Sequence, residues 1–346
     1  MPKKLKSALA ALLATILLLS GGSFSAHASF EEDFAVFSND VVRTADAWVV
    51  QPFLTGLCDA LNWTLGDAYK DPAATAPKAT KPDRIHFLNA GEGDSILLES
   101  NGHYALIDAG FPECAEKVAA YIHKVAGKNA KLDFVMVTHA HADHIGGMPG
   151  VLSDKTISVG KLYCRVYSAA GKWSVPWQNL TKMYEDTLAV AKARKIPIVQ
   201  TAPTGKLTFG DFKITILNGG AENDANPDEN AHAYCLLLEG KGKRIMLTSD
   251  VSGAPEEAIA EKVGDVDLQT INHHSLPNAT RPKAVAQYKA EIAVSSNYSL
   301  WPFAAWTIQA ASPDCEFYCT GKSGGLIADI GTKITMYRIG MEQMYD

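Results

Sequence analysis

The distribution of apolar and polar positions divides the chain into a helical start, a linker and a long region of short strands with helices between them. From residue 30 to 70, the stretch VVRTADAWVVQPFLTGLCDALNWTLG spaces its apolar residues by threes and fours. That spacing predicts a helical segment, which Pro52 divides into two helices. DPAATAPKATKPD (71–83) has no period and is rich in Pro, Ala and Thr, so it reads as a linker. From Arg84 the runs RIHFLNA, SILLES and YALIDAG are brief and apolar, with turns at Gly91-Glu92-Gly93 and Asn101-Gly102. A helix is predicted over 115–125, then the strand DFVMVTH, then a second helix over 177–195 on the spacing of Leu180, Met183, Tyr184, Leu188 and Ala191. KLTFG, DFKITILNG, AYCLLLEG, KRIMLTSD, DLQTINHH, EIAVSSN, CEFYCTG and KITMYRIG follow as strands, with helices near 254–262 and 302–311. Two groups of strands with interspersed helices predict a layered α/β fold and not a parallel Rossmann sheet. No G-x-G-x-x-G opens a helix, and there is no Walker sequence, internal repeat or low-complexity tract.

The first 28 residues stand apart from this pattern. Lys3, Lys4 and Lys6 precede an apolar run from Ala8 to Leu19, and Ala26-His27-Ala28 has the form of a cleavage site. The run is shorter than the roughly 20 residues that span a bilayer. The expectation is a cleaved signal peptide, a secreted or extracytoplasmic protein, and no stable membrane insertion afterwards. Cleavage would remove three lysines and no acid, moving the formal charge from -6 to -9. An acidic surface disfavours nucleic acid as the partner, because phosphate binding rests on Lys and Arg. Of the six cysteines, none is near the histidine-rich stretch described next. Cys315 and Cys319 on one strand would lie about 13 Å apart, too far to bridge.

The chemistry concentrates in VTHAHADHIGG (137–147), which packs His139, His141, Asp143 and His144 into six positions after a buried strand. His139 and His141 are two apart, so extended backbone sends both side chains to one face. Gly146-Gly147 lets the next helix start close behind. Imidazole nitrogen and carboxylate oxygen suit zinc-like divalent ions. The four groups can hold two ions, His139 and His141 reaching one, Asp143 and His144 the other.

This T-H-x-H-x-D-H-x-G-G string resembles the signature of the metallo-β-lactamase superfamily. The resemblance implies an αββα sandwich over 84–346, after a signal peptide (1–28), a helical N-terminal segment (29–70) and the linker (71–83). Within the superfamily the sequence is most similar to the hydrolase domain of the competence protein ComEC and its secreted relatives. Their D-V-G-Q-G-D-(A/S) is matched here by Asn89-Ala90-Gly91-Glu92-Gly93-Asp94-Ser95. LIDAG places Asp108 where the superfamily has a carboxylate that buttresses the metal loop by hydrogen bonds. LTSD is similar to L-T-G-D, which makes Asp250 the expected bridging carboxylate. INHHS is similar to G-H-H-G-S, carrying over His274 as a ligand and His273 as a proton or hydrogen-bond donor.

The sequence departs from the pattern in three places. Asn230-Ala231-His232-Ala233 stands at N-x-x-S, so the third histidine of lactamases has no clean counterpart, with His232 as the alternative. Trp301 in NYSLWP occupies an expected histidine position, and Leu276 replaces the glycine of H-H-G-S. The resemblance implies a metal-dependent hydrolase with one or two Zn²⁺, or Mn²⁺ in their place. Its metal ligands would be His139, His141, Asp143, His144, Asp250 and His274, and its catalytic groups Asp143 and His273. No organic cofactor is implied. The expected substrate is a small-molecule or cell-envelope ester, foremost a phosphodiester. Trp173, Trp177, Trp301 and Trp306 offer aromatic faces for a quaternary ammonium group. A nuclease, a β-lactamase-like hydrolase and a non-catalytic metal-binding protein with a decayed site are the alternatives.

Overall fold

The computed structural model describes residues 69–346, apart from 171, 173–177, 203–205, 220–225, 277–278, 298–307, 309–310, 343 and 345–346. The expected signal peptide, the helical segment up to residue 68, Cys58, the four tryptophans above and most of 302–311 lie outside the described residues.

Two eight-stranded sheets face one another. One runs, from edge to edge, Ile334–Arg338, Leu326–Ile330, Asp83–Phe87, Ile96–Ser100, His103–Ile107, Phe134–Met136, Leu162–Tyr163 and Ile198–Val199. The other runs Tyr69–Lys70, Glu316–Cys319, Ile292–Ser295, Leu268–Thr270, Lys243–Leu247, Cys235–Gly240, Phe212–Leu217 and Lys206–Phe209. Each sheet is antiparallel in one half and parallel in the other. The change falls at Ile107↔Met136 in the first and Met246↔Gln269 in the second.

The short strands are apolar at successive positions because both of their faces are covered. Ile96, Leu98, Ile107, Phe134 and Met136 meet Leu236, Leu238, Ile245, Leu247 and Val294 between the sheets. The alternate residues Leu97, Leu106, Val135 and Val137 point the other way. They pack on Val118 and Ile122 of helix Ala115–Ala126 and on Val151 and Leu152 of helix Met148–Ser153. On the far side, Leu237 and Met246 pack on Ile259 and Val263 of helix Ala254–Val263 and on Tyr288 of helix Pro282–Tyr288. The result is the αββα layering. Each fully buried Leu, Ile or Phe contributes about 1.5–3 kcal/mol.

Several expectations need adjustment. Tyr69–Lys70, placed by the pattern at the end of the helical segment, is a strand beside Glu316–Cys319. The linker does not hang free: Arg338 N–H donates to Ala74 O, and Thr75 bridges to Arg338. The strand DFVMVTH is regular only over Phe134–Met136, because the backbone leaves the sheet to form the histidine bend. Helix Leu180–Ala193 buries Leu180, Tyr184 and Ala191 as its period requires. Among the described cysteines, Cys114, Cys164, Cys235, Cys315 and Cys319 are all free. No helix of the described residues is long and apolar enough to cross a membrane.

Candidate metal centre

The sheets' change from antiparallel to parallel pairing leaves chain segments emerging side by side at one edge of the sandwich. Strand His103–Ile107 ends in Asp108, and its parallel neighbour Phe134–Met136 ends in the histidine bend. In the opposite sheet, Lys243–Leu247 ends in Thr248-Ser249-Asp250 and Leu268–Thr270 runs into Asn272–Ser275. The Gly91–Asp94 turn completes the ring, since Asp94 N–H donates to Asp143 O at 3.1 Å.

Glycine permits the close approaches. A Cβ on Gly147 would lie 2.3 Å from Ala109 O, and one on Gly93 would lie 2.6 Å from Asp143 O. Both are shorter than real contacts, so these two glycines bring the bend against the Asp108 loop and the 91–94 turn.

Asp108, at φ 55°, organises the bend from inside. Its Oδ1 accepts Thr138 N–H at 2.8 Å, and its Oδ2 accepts the Thr138 hydroxyl at 2.6 Å and His144 Nδ1–H at 2.8 Å. With its Nδ1 so engaged, His144 presents Nε2 to the cluster. From outside, Glu229 accepts Ala140 N–H at 3.3 Å and Gln178 accepts Ala142 N–H at 3.1 Å. The bend is thereby held at alternate peptide groups.

The functional atoms converge in two sets that share Asp250. Around its Oδ1 stand His144 Nε2 at 3.1 Å and His274 Nε2 at 3.3 Å, with those two nitrogens 3.1 Å apart. Asp143 Oδ2 lies 3.2 Å from His274 Nε2 and 3.8 Å from His144 Nε2. Around Oδ2 stand His139 Nε2 at 3.6 Å and His273 Nε2 at 3.8 Å, and His141 Nδ1 lies 3.2 Å from His139 Nε2. Ligand atoms of Asp94, His144, Asp250 and His274 lie within 4.8 Å of one another, as do those of His139, His141 and Asp250. The structure thus brings the six expected ligands together, with His139 and His141 in one group, His144 and His274 in the other, Asp250 in both, and Asp143 beside His274.

These residues fit divalent ions. Both Asp250 oxygens are buried without a well-aligned hydrogen bond, and His274 Nδ1 is in the same position. Two imidazole nitrogens facing each other at 3.1 Å cannot both donate. Ligand atoms on a tetrahedral ion with bonds near 2.05 Å sit about 3.3 Å apart, the separation found here.

Electrostatics agrees with a charge-dense, water-poor site. Burial acts to lower the pKa of His144 and His274, but the carboxylates around them, Asp250 foremost, outweigh it and hold both well above the ordinary value. The same attraction outweighs burial at Asp143 and Asp250, whose pKa values are lowered. Burial dominates at His139, which lies well below its ordinary value, and at His273, which is also lowered. Asp94 is raised by burial against the pull of His274.

The His273–Ser275 turn departs from ordinary backbone, with φ of 45°, 52° and 68° at three successive non-glycine residues. Asn297 Nδ2 donates to His274 O at 2.6 Å, and the hydroxyls of Ser275 and Ser295 pair at 2.5 Å. These partners hold a conformation that costs about 1 kcal/mol or more per residue. His273 is left 30% exposed while His274 is buried.

His232 is not in either set; its Nε2 pairs with Asn226 O at 2.9 Å. The position facing His273 is taken by Asn230, whose Nδ2 lies 3.4 Å from His273 Nε2 and whose buried Oδ1 is unpartnered. Sequence reasoning did not assign a metal-site role to Asp94, although the G-E-G-D string contains it. Thr138, Gln178, Ser249 and Glu229 were missed as supports. Of these, Thr138, the T of the signature, and Ser249, the S of LTSD, had a local signal.

The family model described as "Metallo-beta-lactamase superfamily" matches residues 88–296. Recombination protein 2 of Haemophilus influenzae is 20% identical over 242 residues, 65% of this chain and 26% of that protein. Ribonuclease Z of Listeria welshimeri is 36% identical over 59 residues, 17% of this chain and 19% of that protein. The chain thus spans about a quarter or less of the length of these curated relatives. Among solved structures, the metallo-beta-lactamase fold protein YhfI of Bacillus subtilis aligns with a TM-score of 0.48 and 15% identity, covering 71% of this chain and 99% of that one.

Proposed function

The chain belongs to the metallo-beta-lactamase superfamily of metal-dependent hydrolases, and on that premise we propose that it hydrolyses a phosphodiester or related ester outside the cytoplasm. The observation that supports this reading most is the division of Asp250: each oxygen faces its own group of histidine nitrogens. A carboxylate shared in this way suits two cations, and two cations suit a phosphoester, whose attacking and leaving oxygens both carry developing charge.

His144, His274, Asp250, Asp143 and Asp94 would hold one ion; His139, His141 and Asp250 would hold the other. Bound there, zinc or manganese supplies a Lewis acid and makes a hydroxide nucleophile available near neutral pH. The chain's own groups do the rest. Asp143 stays ionised beside His144 and His274, and its carboxylate orients the attacking water by accepting a hydrogen bond. His273, whose pKa burial lowers and which is partly exposed at the rim, donates a hydrogen bond from a ring N–H to the leaving oxygen, which takes its proton from solvent. Asn230 Nδ2 stands 3.4 Å from Nε2, the same ring nitrogen that faces Asp250.

A small or cell-envelope phosphodiester is the favoured substrate, because the formal charge of -6 offers nucleic acid little attraction. A nuclease is the second reading, favoured by the names of Recombination protein 2 and Ribonuclease Z. Export rests on the basic, apolar and A-x-A order of residues 1–28. The deciding experiment incubates the zinc- or manganese-loaded protein with bis-p-nitrophenyl phosphate, p-nitrophenylphosphorylcholine, and single-stranded RNA and DNA. Chelator-sensitive turnover of a small diester is expected. Cleavage of nucleic acid alone would favour the nuclease, and no turnover on any of them contradicts the proposal.

A further inference from the structure

Ser249 is 5% exposed and sits at φ 48°, a left-handed conformation that glycine adopts freely and a residue with a Cβ adopts only at a cost. A serine kept there needs a reason, and its contacts supply one. The Ser249 hydroxyl donates to Thr138 Oγ1 at 2.9 Å. Thr138 in turn donates to Asp108 Oδ2 at 2.6 Å and stands 3.1 Å from His139 Nδ1. With Nδ1–H of His139 as the second donor to it, the threonine hydroxyl uses its one proton and both lone pairs. His139 is then left with Nε2 free to face the cluster. On its other side, Ser249 C=O accepts His273 N–H at 3.1 Å. One residue therefore touches the bend through its side chain and the histidine turn through its backbone, and it directly precedes Asp250.

We propose that Ser249 is a positioning residue that sets the distance between the shared carboxylate of Asp250 and the histidine bend, joining the contributions of the two sheets across the site. The strained φ aims the hydroxyl at Thr138. Without that link, the Thr248-Ser249-Asp250 turn is held to the bend only through its neighbours, and Asp250 can swing away from His139 and His144. The role rests on the metal-site reading above.

Replacing Ser249 by glycine separates positioning from folding. S249G relieves the backbone and keeps the carbonyl bond to His273, so the melting temperature of the metal-free protein holds or rises. Zinc affinity, read by competition with a chromophoric chelator, is expected to fall about 10-fold or more. S249A loses the same hydroxyl but keeps the strain, so affinity and melting temperature both fall. T138V also weakens zinc binding while T138S does not, and the S249G/T138V double variant loses less than the two single losses combined. Parental affinity in S249G, or fully additive losses in the double variant, would overturn the proposal. A parent protein that binds no zinc would overturn it together with the metal-site reading, whereas normal binding by both parent and S249G removes this inference alone.

Discussion

Asp108 Oδ2 accepts the Nδ1 proton of His144 at 2.8 Å, deep in the protein, and so decides which nitrogen that histidine offers to the cluster. The same carboxylate holds the Thr138 backbone and hydroxyl. Asparagine has one oxygen for these three donors, and its amide turns a donor toward at least one of them. D108N is therefore expected to lower zinc affinity by about 10–100-fold while the protein still folds. Equilibrium dialysis against zinc, with circular dichroism as the folding check, tests this; parental affinity would show that the bend is held by other means.

Asp94 and His141 make opposite demands on the two sets. Asp94 belongs with His144, Asp250 and His274, and His141 belongs with His139 and Asp250. D94A should weaken one ion about 10-fold or more and spare the other, and H141A should do the reverse. Stepwise zinc titration of each variant distinguishes the sets. Equal loss of both ions in D94A would mean that its carboxylate acts on the whole loop.

His273 faces Asp250 from the exposed rim, 3.8 Å from Oδ2. As a donor to the leaving group it contributes to turnover and not to metal retention. H273A is expected to reduce kcat on a phosphodiester by about 10²–10³ with unchanged metal content. Loss of one metal equivalent would instead make His273 a ligand of the His139 set.

Glu256 lies outside the site, 1% exposed, with Oε1 accepting Arg281 N–H at 3.2 Å and Oε2 unpartnered. Burial raises its pKa from 4.5 to about 8. Between those values the unfolded chain releases a proton that the folded protein keeps. Stability therefore falls as pH rises across this interval and levels off above it. E256Q should remove that slope, gaining at least about 1 kcal/mol on the parent at pH 8.5 relative to pH 4.5. Urea denaturation of the metal-free proteins at the two pH values checks it, and parallel pH profiles would place the ionisation elsewhere.

The parts of this architecture that depend on neighbours in sequence were legible beforehand. Thr138 to Gly147 carries its chemistry in ten consecutive positions, and the resemblance of LTSD and INHHS to the family's motifs pointed to Asp250 and His274. Short apolar runs placed most strands because both faces of each sheet are covered. Strand Leu326–Ile330 was missed: it is five residues long, enclosed by Gly324-Gly325 and Gly331, with Asp329 paired to Arg84 of the adjoining strand. Helix Met148–Ser153 follows Gly146-Gly147 as expected, whereas helix Pro282–Tyr288 is too short to show a period. Asp94, Glu229 and Ser249 gain their roles from partners 49, 89 and 111 positions away, Asp143, Ala140 and Thr138. Local spacing cannot register such distances; only the closing of the two sheets brings those residues together.

The central claim is that Asp250 is shared by two ions, and metal analysis of the parent and D250A by mass spectrometry tests it most directly. Two divalent ions per chain in the parent, with both lost or greatly reduced in folded D250A, is the predicted result. A parent that holds one ion or none after reconstitution with zinc or manganese, or a D250A protein that keeps two, would contradict it.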